Sequence, residues 1–378
     1  MKIENRGGKM KVMTVFGTRP EAIKMAPIVK AMEKEERIES IVCVTAQHRQ
    51  MLDQVLNIFD IKPDFDLNIF KPGQTLTEIT TKALEGLEKV IIENKPDLLL
   101  VQGDTTTVFA GALAAFYQKV KIGHVEAGLR SGNLYSPYPE EANRKLTGIL
   151  TDFHFAPTEK SRENLLKEGY PDEKIFITGN TVIDALFHVV KDEYIFNDEL
   201  LDGIDFENKK VILMTSHRRE NIGKPMENIF TSIKRIVEDY EDVEVVFPIH
   251  LNPKVRDIAY KVFDNHPRIH LVEPLDYEPF TNLMAKSYLV VTDSGGLQEE
   301  APSLGKPVLV VREETERPEG ILAGTAKLVG TNEEKIYREI NTLLNVKEEY
   351  LKMANAVNPY GDGKAAEKIV DIILQKLV

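Results

Sequence analysis

Short apolar runs alternate with amphipathic stretches from one end of the chain to the other. In the first half, apolar runs typical of β-strands occupy residues 11–16, 41–45, 98–102, 121–125, 153–156 and 174–178. In the second half, they occupy residues 211–215, 243–249, 268–272, 288–292, 307–311 and 326–329. The stretches between them have a helical period, and the one after Gln74 places on a single stripe Ala83, Leu84, Leu87, Val90 and Ile91.

This alternation predicts an α/β protein with two parallel sheets, each covered by helices on both faces. Residues 191–210 are acidic and lack strand character, and we place a domain boundary there. We expect a Rossmann-like domain over residues 10–190, a second over 191–362, and a C-terminal helix over 363–378 that packs back on the first domain. The polar residues 1–9 are expected to be a disordered leader.

Nearly every unusual polar cluster of the chain directly follows a predicted strand. In open α/β sheets, ligands bind beyond the carboxyl ends of the strands. Two such sheets facing each other would form one deep cleft between the domains. We therefore expect the functional residues to lie in that cleft.

The composition restricts the classes of partner. A length of 378 residues suits two domains, and a formal net charge of −12 argues against general binding to nucleic acids or anionic membranes. No apolar stretch is long enough to span a bilayer. The single cysteine, Cys43, lies in an apolar run and is expected to be a buried strand residue. One cysteine allows no disulfide within the chain, which is usual for a protein of the reducing cytoplasm.

The most informative segment is TDSGGLQEEAP, residues 292–302. An apolar run ends here in Asp-Ser-Gly-Gly, and a helical pattern begins at once. Gly295 and Gly296 let the backbone approach a ligand closely, and the N–H groups of a following helix attract an anion. Glu299 and Glu300 could accept hydrogen bonds from sugar hydroxyls. The segment is either a nucleotide-sugar site or an ordinary corner between a strand and a helix.

Two basic residues follow the first predicted strand. Arg19 lies where a helical pattern begins and Lys24 about one turn further along, so that both could reach a phosphate. The alternative is a solvated basic pair. The loop has neither the G-x-G-x-x-G fingerprint nor the P-loop pattern, and we therefore expect no dinucleotide cofactor and no ATP.

Candidate acid/base residues follow other strands. Asp104 could be catalytic or could cap the next helix. Glu126 leaves a buried strand beside a glycine, and Glu140 lies in the next polar cluster, so both are candidates for acid/base work. His217 follows the first strand of the second domain, where it could donate to a phosphate or act as an acid near a leaving group. No H-E-x-x-H, C-x-x-C or EF-hand pattern is present, and we expect no bound metal.

Three neighbouring residues are expected to be structural. His124 is expected to be an interior histidine whose hydrogen bonds are satisfied. Glu141 and Arg144 have the i,i+3 spacing of a helix, which favours a surface ion pair.

Taken in order, these clusters resemble the non-hydrolysing UDP-N-acetylglucosamine 2-epimerase family. The resemblance runs from about Met10 to the C-terminus and rests on GTRPEAIKMAP, TAQHRQM, VQGDTTT, HVEAGLRS, PYPEEANR, ITGNTVIDAL, TSHRREN and TDSGGLQEEAPSLGKPVLVVREETERPEG. Members of this family have a two-domain, glycosyltransferase-B-like fold, are usually homodimers and need no nicotinamide. They interconvert UDP-GlcNAc and UDP-ManNAc by eliminating UDP to give 2-acetamidoglucal and adding it back.

The resemblance also implies roles for particular residues. The family's essential residues fall on Asp104, Glu126, Glu140 and His217. The residues implied to contact UDP are Arg19, Lys24, Phe280 near the uracil, Ser294 with Gly295 and Gly296 at the diphosphate, and Glu300 at the ribose. Core packing is the alternative for Phe280. Gln47 and His48 match a pair that in bacterial members helps to bind a second UDP-GlcNAc as an activator.

Four other functions are considered. A sister 2-epimerase of a UDP-2,3-diacetamido uronic acid shares many of the motifs, and a glycosyltransferase shares the fold and the phosphate loop. A hydrolysing epimerase and a nucleotide-sugar sensor without activity are further alternatives. Because the implied ligands come from both domains, we expect a hinge near residues 191–210 to close around the substrate and exclude water, with the C-terminal helix as a second crossing.

Overall fold

A computed structural model of the chain describes residues 8–46 and 49–377. Residues 1–7 of the expected leader and the predicted activator residues Gln47 and His48 lie outside this description. The chain divides into two compact units: the first runs to His188 and resumes at Tyr360, and the second comprises Val189–Pro359.

The first unit contains a seven-stranded sheet in which every pairing is parallel, in the order β3-β2-β1-β4-β5-β6-β7. Its strands are β1 (Met10–Phe16), β2 (Ile38–Val44), β3 (Phe65–Asp66), β4 (Leu98–Gln102), β5 (Lys121–Val125), β6 (Phe153–Ala156) and β7 (Ile175–Ile177). The sequence pattern did not predict β3, because two residues are too few to show a period. Cys43 is buried in β2, as predicted.

The helices of the first unit are α1 (Arg19–Glu33), α2 (Arg49–Ile58), α3 (Leu76–Asn94), α4 (Thr106–Tyr117), α5 (Glu140–Leu150), α6 (Glu159–Lys167), α7 (Thr181–Val189) and α16 (Ala365–Leu377). Local sequence explains where α1 begins, because Thr18 and Glu21 form a capping box and a proline follows in the first turn. In α3, the predicted stripe faces the core, with Ala83, Leu87 and Val90 buried. The C-terminal helix α16 packs against α1.

The second unit contains a six-stranded parallel sheet in the order β10-β9-β8-β11-β12-β13. Its strands are β8 (Lys210–Thr215), β9 (Val243–Pro248), β10 (Ile269–Val272), β11 (Leu289–Thr292), β12 (Val308–Val310) and β13 (Ala326–Leu328). Its helices are α8 (Glu199–Asp202), α9 (Lys224–Asp239), α10 (Pro253–Phe263), α11 (Tyr277–Lys286), α12 (Gly295–Glu300), α13 (Pro318–Ala323), α14 (Glu333–Asn345) and α15 (Lys347–Ala354).

The buried core of the second unit lies between its sheet and helices α9, α10 and α14. Phe230 of α9 packs against Phe247 of β9 and Phe263 of α10, with ring centroids 5.5 and 5.0 Å apart. The predicted α/β class with two parallel sheets is confirmed. In each unit, the polar clusters singled out in the sequence follow the carboxyl ends of strands.

Candidate active site

Glu126 is the centre of a polar cluster in the first unit. It directly follows β5, is buried, and has a φ of 62°, a left-handed conformation that is costly for a residue with a side chain. Lys24 of α1 places Nζ 2.7 Å from Oε1 and 2.6 Å from Oε2 of this carboxylate. The side-chain amide of Gln102 donates to Oε2, and Asn180 Nδ2 lies 3.4 Å from Oε1. The fold therefore holds a strained, buried carboxylate with donors from three other segments.

Asp104, another candidate residue of the first unit, is also held in an ion pair. It follows β4, and its Oδ2 accepts from Nη2 of Arg144 on α5 at 2.5 Å. Asn143 donates to the backbone carbonyl of Asp104 at 2.9 Å. The N-cap of α4 is Thr105, whose hydroxyl accepts from the N–H of Val108. The capping role considered for Asp104 is therefore filled by its neighbour.

Arg144 joins Asp104 to Glu141, which corrects one expectation. The ion pair between Arg144 and Glu141 exists at 3.2 Å, but the Glu141 side chain is fully buried and does not lie on the surface. Its carboxylate accepts from the backbone N–H groups of Ser131 and Gly132 at 3.0 and 3.2 Å. The Glu141 side chain is buried because it points inwards to bind the backbone of the loop that leads away from β5.

Glu140 is the first residue of α5, one position before Glu141. Its Oε2 is buried and has no hydrogen-bond partner among the described residues. A buried carboxylate oxygen without a donor is costly, because the desolvation of the group is uncompensated. Such an atom is expected where a donor is supplied by a bound molecule.

Arg19 and Lys24 differ in what they contact. Arg19 is the first residue of α1, is half-buried, and makes no side-chain hydrogen bond or ion pair with any residue that the structure describes. Lys24, one turn further along, is engaged by Glu126. The pairing of Lys24 with Glu126 was not predicted from the sequence, because 102 residues separate the two.

Two further buried groups near this cluster are structural. Glu21 accepts from the N–H groups of Gly17 and Thr18 and from the Thr105 hydroxyl, and burial raises its pKa in opposition to these hydrogen bonds. His124 has Nε2 2.7 Å from the carbonyl oxygen of Gly103, and burial lowers its pKa to about 4. His124 is therefore neutral and satisfied at physiological pH, as expected for an interior histidine.

Asp293 organises the candidate site of the second unit. It follows β11 and is fully buried. Its Oδ2 accepts four hydrogen bonds, two from backbone N–H groups and two from neutral side chains. The donors are His217 N at 2.9 Å, Arg218 N at 2.9 Å, Ser216 Oγ at 3.1 Å and Asn221 Nδ2 at 3.2 Å.

His217 lies beside the same carboxylate. Its Nδ1 is 3.5 Å from Asp293 Oδ1, and its ring stacks on that of His250 with centroids 5.4 Å apart. Burial lowers the pKa of His217, whereas the negative charge of Asp293 acts in the opposite direction. The side chain remains 39% exposed, so the ring can contact a ligand.

The loop after β11 leads directly into α12. The N–H of Ser294 is held by the hydroxyl of Thr292 at 2.9 Å, and α12 begins at Gly295. A Cβ at Gly296 would lie 3.2 Å from Oε1 of Glu300, closer than most real contacts of such an atom. A side chain at position 296 would therefore press on the carboxylate implied to bind ribose.

The structure separates the two glutamates of this helix. Glu299 is buried and accepts from the guanidinium of Arg317, so it is structural. Glu300 is partly exposed. Phe280 of α11 is also partly exposed, and it lies outside the buried core of the unit.

The residues that sequence reasoning missed are mostly partners of the candidates. Asp293 was part of the quoted motif but received no role, although an acidic residue after a buried strand was the available signal. Gln102 and Arg144 are close to candidates in the motifs, but nothing in their spacing identifies their contacts. Candidate metal sites and membrane-spanning helices are also absent from the described part of the chain. No group of three or more His, Cys, Asp or Glu side chains there could hold a metal ion. No helix there is both long and apolar enough to cross a membrane.

Two parallel sheets covered by helices, with buried carboxylates and a glycine-rich loop at the carboxyl ends of their strands, are typical of enzymes that act on nucleotides and nucleotide-sugars. A model of the UDP-N-acetylglucosamine 2-epimerase family matches residues 30–374. The chain belongs to this family.

Individual relatives are similar over almost their whole length. The UDP-N-acetylglucosamine 2-epimerase of Bacillus subtilis strain 168 is 60% identical over 366 residues, which cover 97% of this chain and 95% of the relative. The structure of UDP-GlcNAc 2-epimerase from Neisseria meningitidis bound to UDP-GlcNAc matches with a TM-score of 0.85 and 53% identity, covering 97% of this chain and 100% of that one. The enzyme from Methanocaldococcus jannaschii in complex with UDP-GlcNAc and UDP matches with a TM-score of 0.76 and 37% identity, covering 97% and 100%.

Proposed function

We propose that the protein catalyses the reversible interconversion of UDP-GlcNAc and UDP-ManNAc. The observation that carries this proposal is the presence of Asp104 and Glu126 after the neighbouring strands β4 and β5, and of Glu140 at the start of α5, in a chain whose relatives include a structure bound to UDP-GlcNAc. Inverting C2 of a sugar requires that a proton be removed from one face and returned to the other. Carboxylates are suited to both steps.

We infer that the reaction proceeds by elimination. The C2 proton has no neighbouring carbonyl that would acidify it. Breaking the bond between C1 and the diphosphate oxygen sends the electron pair to UDP, and the positive charge that develops at C1 acidifies C2–H. A carboxylate takes this proton, and a C1–C2 double bond forms in 2-acetamidoglucal. In the return step, an acid protonates the opposite face of C2 and the diphosphate oxygen bonds to C1 again.

We assign the acid/base work to Asp104, Glu126 and Glu140. Two of them are paired with cationic side chains, since Glu126 binds Lys24 and Asp104 binds Arg144. The third, Glu140, has a buried oxygen without a donor among the described residues. These environments differ enough to support different proton-transfer roles.

We assign the UDP group to residues of both units. Arg19 is available for a phosphate, and Lys24 can exchange the Glu126 carboxylate for a diphosphate oxygen. From the second unit, we assign Ser294, Gly295, Gly296 and His217 to the diphosphate, Glu300 to the ribose and Phe280 to the uracil. Donors directed at the departing diphosphate stabilise the charge that develops on it.

We also propose that the protein is a cytoplasmic homodimer that needs no cofactor. Four large apolar side chains are more than half exposed on the neighbouring helices α3, α4 and α5 of the first unit, and they support pairing of two chains. They are Ile92, Phe116, Tyr117 and Ile149. Binding of a second UDP-GlcNAc as an activator at Gln47 and His48 remains a prediction, because these residues lie outside the described range. Light scattering after gel filtration tests the dimer, with Phe116→Glu expected to give monomers.

Product analysis by NMR with UDP-GlcNAc as the only small molecule tests the proposed activity. We expect UDP-ManNAc to appear without an acceptor, and addition of NAD to leave the rate unchanged. Free ManNAc with UDP would indicate a hydrolysing epimerase. No turnover of UDP-GlcNAc, together with turnover of a UDP-2,3-diacetamido uronic acid, would indicate the sister epimerase. A requirement for an acceptor would indicate a glycosyltransferase.

A further inference from the structure

The two carboxylate oxygens of Asp293 differ in their hydrogen bonds. The four hydrogen bonds described above all reach Oδ2. Oδ1 is buried and has no hydrogen-bond partner among the described residues. The closest cation-forming group to Oδ1 is His217, with Nδ1 at 3.5 Å. A buried carboxylate oxygen is rarely left without a donor, and this one faces a single imidazole nitrogen.

The backbone fixes this geometry. Asp293 binds the N–H of His217 itself and that of Arg218, so the carboxylate holds the segment that carries the imidazole. Asn221 is held in turn between Asp293 Oδ2 and the carbonyl oxygen of Val311. The distance from Nδ1 to Oδ1 is therefore set by three strands of one sheet, β8, β11 and β12. A small rotation of the ring is enough to convert 3.5 Å into a hydrogen bond.

We propose that Asp293 is a positioning residue that binds Nδ1 of His217 and leaves Nε2 as the atom that serves the reaction. The inference rests on the proposed function in one respect, namely that His217 acts on the substrate. With Nδ1–H donating to Asp293, the neutral ring presents an unprotonated Nε2, and the protonated ring presents an acid at the same place. Asp293 also stabilises the imidazolium, so the proton can be held at Nε2 and given up.

The charges that face His217 come from several elements. Asp293 at the end of β11 and Glu220 on the same loop as His217 favour protonation of the ring, whereas His250 after β9 and Arg218 oppose it. Of these groups, Asp293 is the fully buried one, and its interaction is therefore the least screened by water. Removal of its charge is expected to have the largest influence on the titration of His217.

The test is an NMR titration of the enzyme labelled with ¹⁵N at histidine, with His217→Gln used to assign the ring signals. In the wild-type protein, we expect the neutral His217 ring to carry its proton on Nδ1. In Asp293→Asn, the amide oxygen can replace Oδ2 as the acceptor of the four hydrogen bonds. The amide NH₂ then lies where Oδ1 was and donates to Nδ1, which must be unprotonated to accept. We then expect the proton to move to Nε2 and the pKa of His217 to fall by about one unit or more.

The matched control is Ser216→Ala, which removes one hydrogen bond to Asp293 and keeps its charge. We expect the tautomer of His217 to be unchanged in this variant, and its kcat to stay within about fivefold of the wild-type value. In Asp293→Asn, we expect kcat to fall by about 10²- to 10⁴-fold with little change in KM. Similar losses in both variants, with no change in the His217 titration, would show that Asp293 is only structural.

The two proposals can fail separately. Normal turnover by His217→Gln would remove His217 from the reaction, while the titration would still report whether Asp293 sets its tautomer. If Asp293→Asn does not fold, the wild-type spectrum decides: a neutral His217 protonated on Nε2 overturns the proposal, and one protonated on Nδ1 supports it.

Discussion

In the first unit, Glu126 and Asp104 are held by the side-chain cations Lys24 and Arg144, whereas in the second unit Asp293 is held by backbone N–H groups and neutral side chains. The two kinds of donor differ in mobility. A lysine side chain can exchange one anion for another when a diphosphate arrives, but a backbone N–H cannot move away without unfolding its loop. We infer that Glu126 and Asp104 of the first unit can change their hydrogen-bond partners during the reaction, whereas Asp293 of the second unit keeps its partners.

The same distinction exists within the first unit. Glu21 and Glu141 are buried and accept from backbone N–H groups, and both tie a loop to the start of a helix. Backbone N–H donors are thus found on carboxylates that hold the framework, although Glu141 is also paired with the cation Arg144. The predictions below test this distinction in order of the expected effect.

The largest effect is expected from neutralising the proposed acid/base residues. Glu126→Gln, Asp104→Asn and Glu140→Gln should each lower kcat by about 10²- to 10⁴-fold, because each removes a group that transfers a proton. The fold should persist, since the changes are nearly isosteric. The measurement is the initial rate of UDP-GlcNAc turnover together with a thermal melt. Glu163→Gln, an identical change on the exposed surface of α6, is the control and should have no effect.

Loss of a framework carboxylate should affect stability instead of a single chemical step. Glu21→Ala leaves the N–H groups of Gly17 and Thr18 and the hydroxyl of Thr105 without their acceptor in a buried place. We expect the free energy of unfolding to fall by about 3 kcal/mol. Denaturant unfolding measures this change. A loss below about 0.5 kcal/mol would remove the distinction between the two kinds of carboxylate.

A smaller effect is expected for a residue that binds only the ligand. Arg19 makes no side-chain hydrogen bond or ion pair with the described residues, and Arg19→Ala should therefore leave the melting temperature nearly unchanged. Affinity for UDP should fall by about 2 kcal/mol, or about 30-fold, because a charge-assisted contact is lost. Calorimetric titration with UDP checks this. Arg37→Ala, at an exposed arginine paired with Glu35, is the control and should bind UDP normally.

The smallest effect concerns His154, which contacts neither the candidate acid/base residues nor the framework carboxylates through a hydrogen bond. Both of its ring nitrogens are buried and lack hydrogen-bond partners within the described residues, and burial lowers its pKa to about 3. Because the unfolded chain binds this proton at a higher pH, the folded state loses stability as the pH falls from about 6.5 towards 3.

His154→Leu should remove this loss. Between pH 7.5 and pH 5, the wild type should lose about 1 to 2 kcal/mol more free energy of unfolding than the variant does. Denaturant unfolding at the two pH values measures the difference. An equal pH dependence in both proteins would mean that His154 is protonated, or has a partner, in the folded state.

Much of the fold could be predicted from the sequence because long apolar strands and amphipathic helices show their period directly. The strands of both sheets were predicted apart from β3, which is too short for a pattern. The positions of Asp104, Glu126 and His217 after strands follow from the same pattern. Their partners could not be predicted, since contacts such as that between Lys24 and Glu126 depend on which strands become neighbours.

Other expectations remain predictions. The cleft, the hinge near residues 191–210 and the roles of individual site residues depend on geometry that periodicity does not report. The surface position expected for Glu141 was wrong, because i,i+3 spacing indicates a pair but not which side of the helix is buried.

The most direct test of the account is the reaction of UDP-GlcNAc in D2O, followed by ¹H NMR and mass spectrometry of the nucleotide-sugars. If C2–H is broken and remade by carboxylic acids that exchange with solvent, UDP-ManNAc carries deuterium at C2, and recovered UDP-GlcNAc acquires it as equilibrium is approached. UDP-ManNAc that retains protium at C2 throughout would contradict proton transfer through Asp104, Glu126 and Glu140, and with it the elimination mechanism.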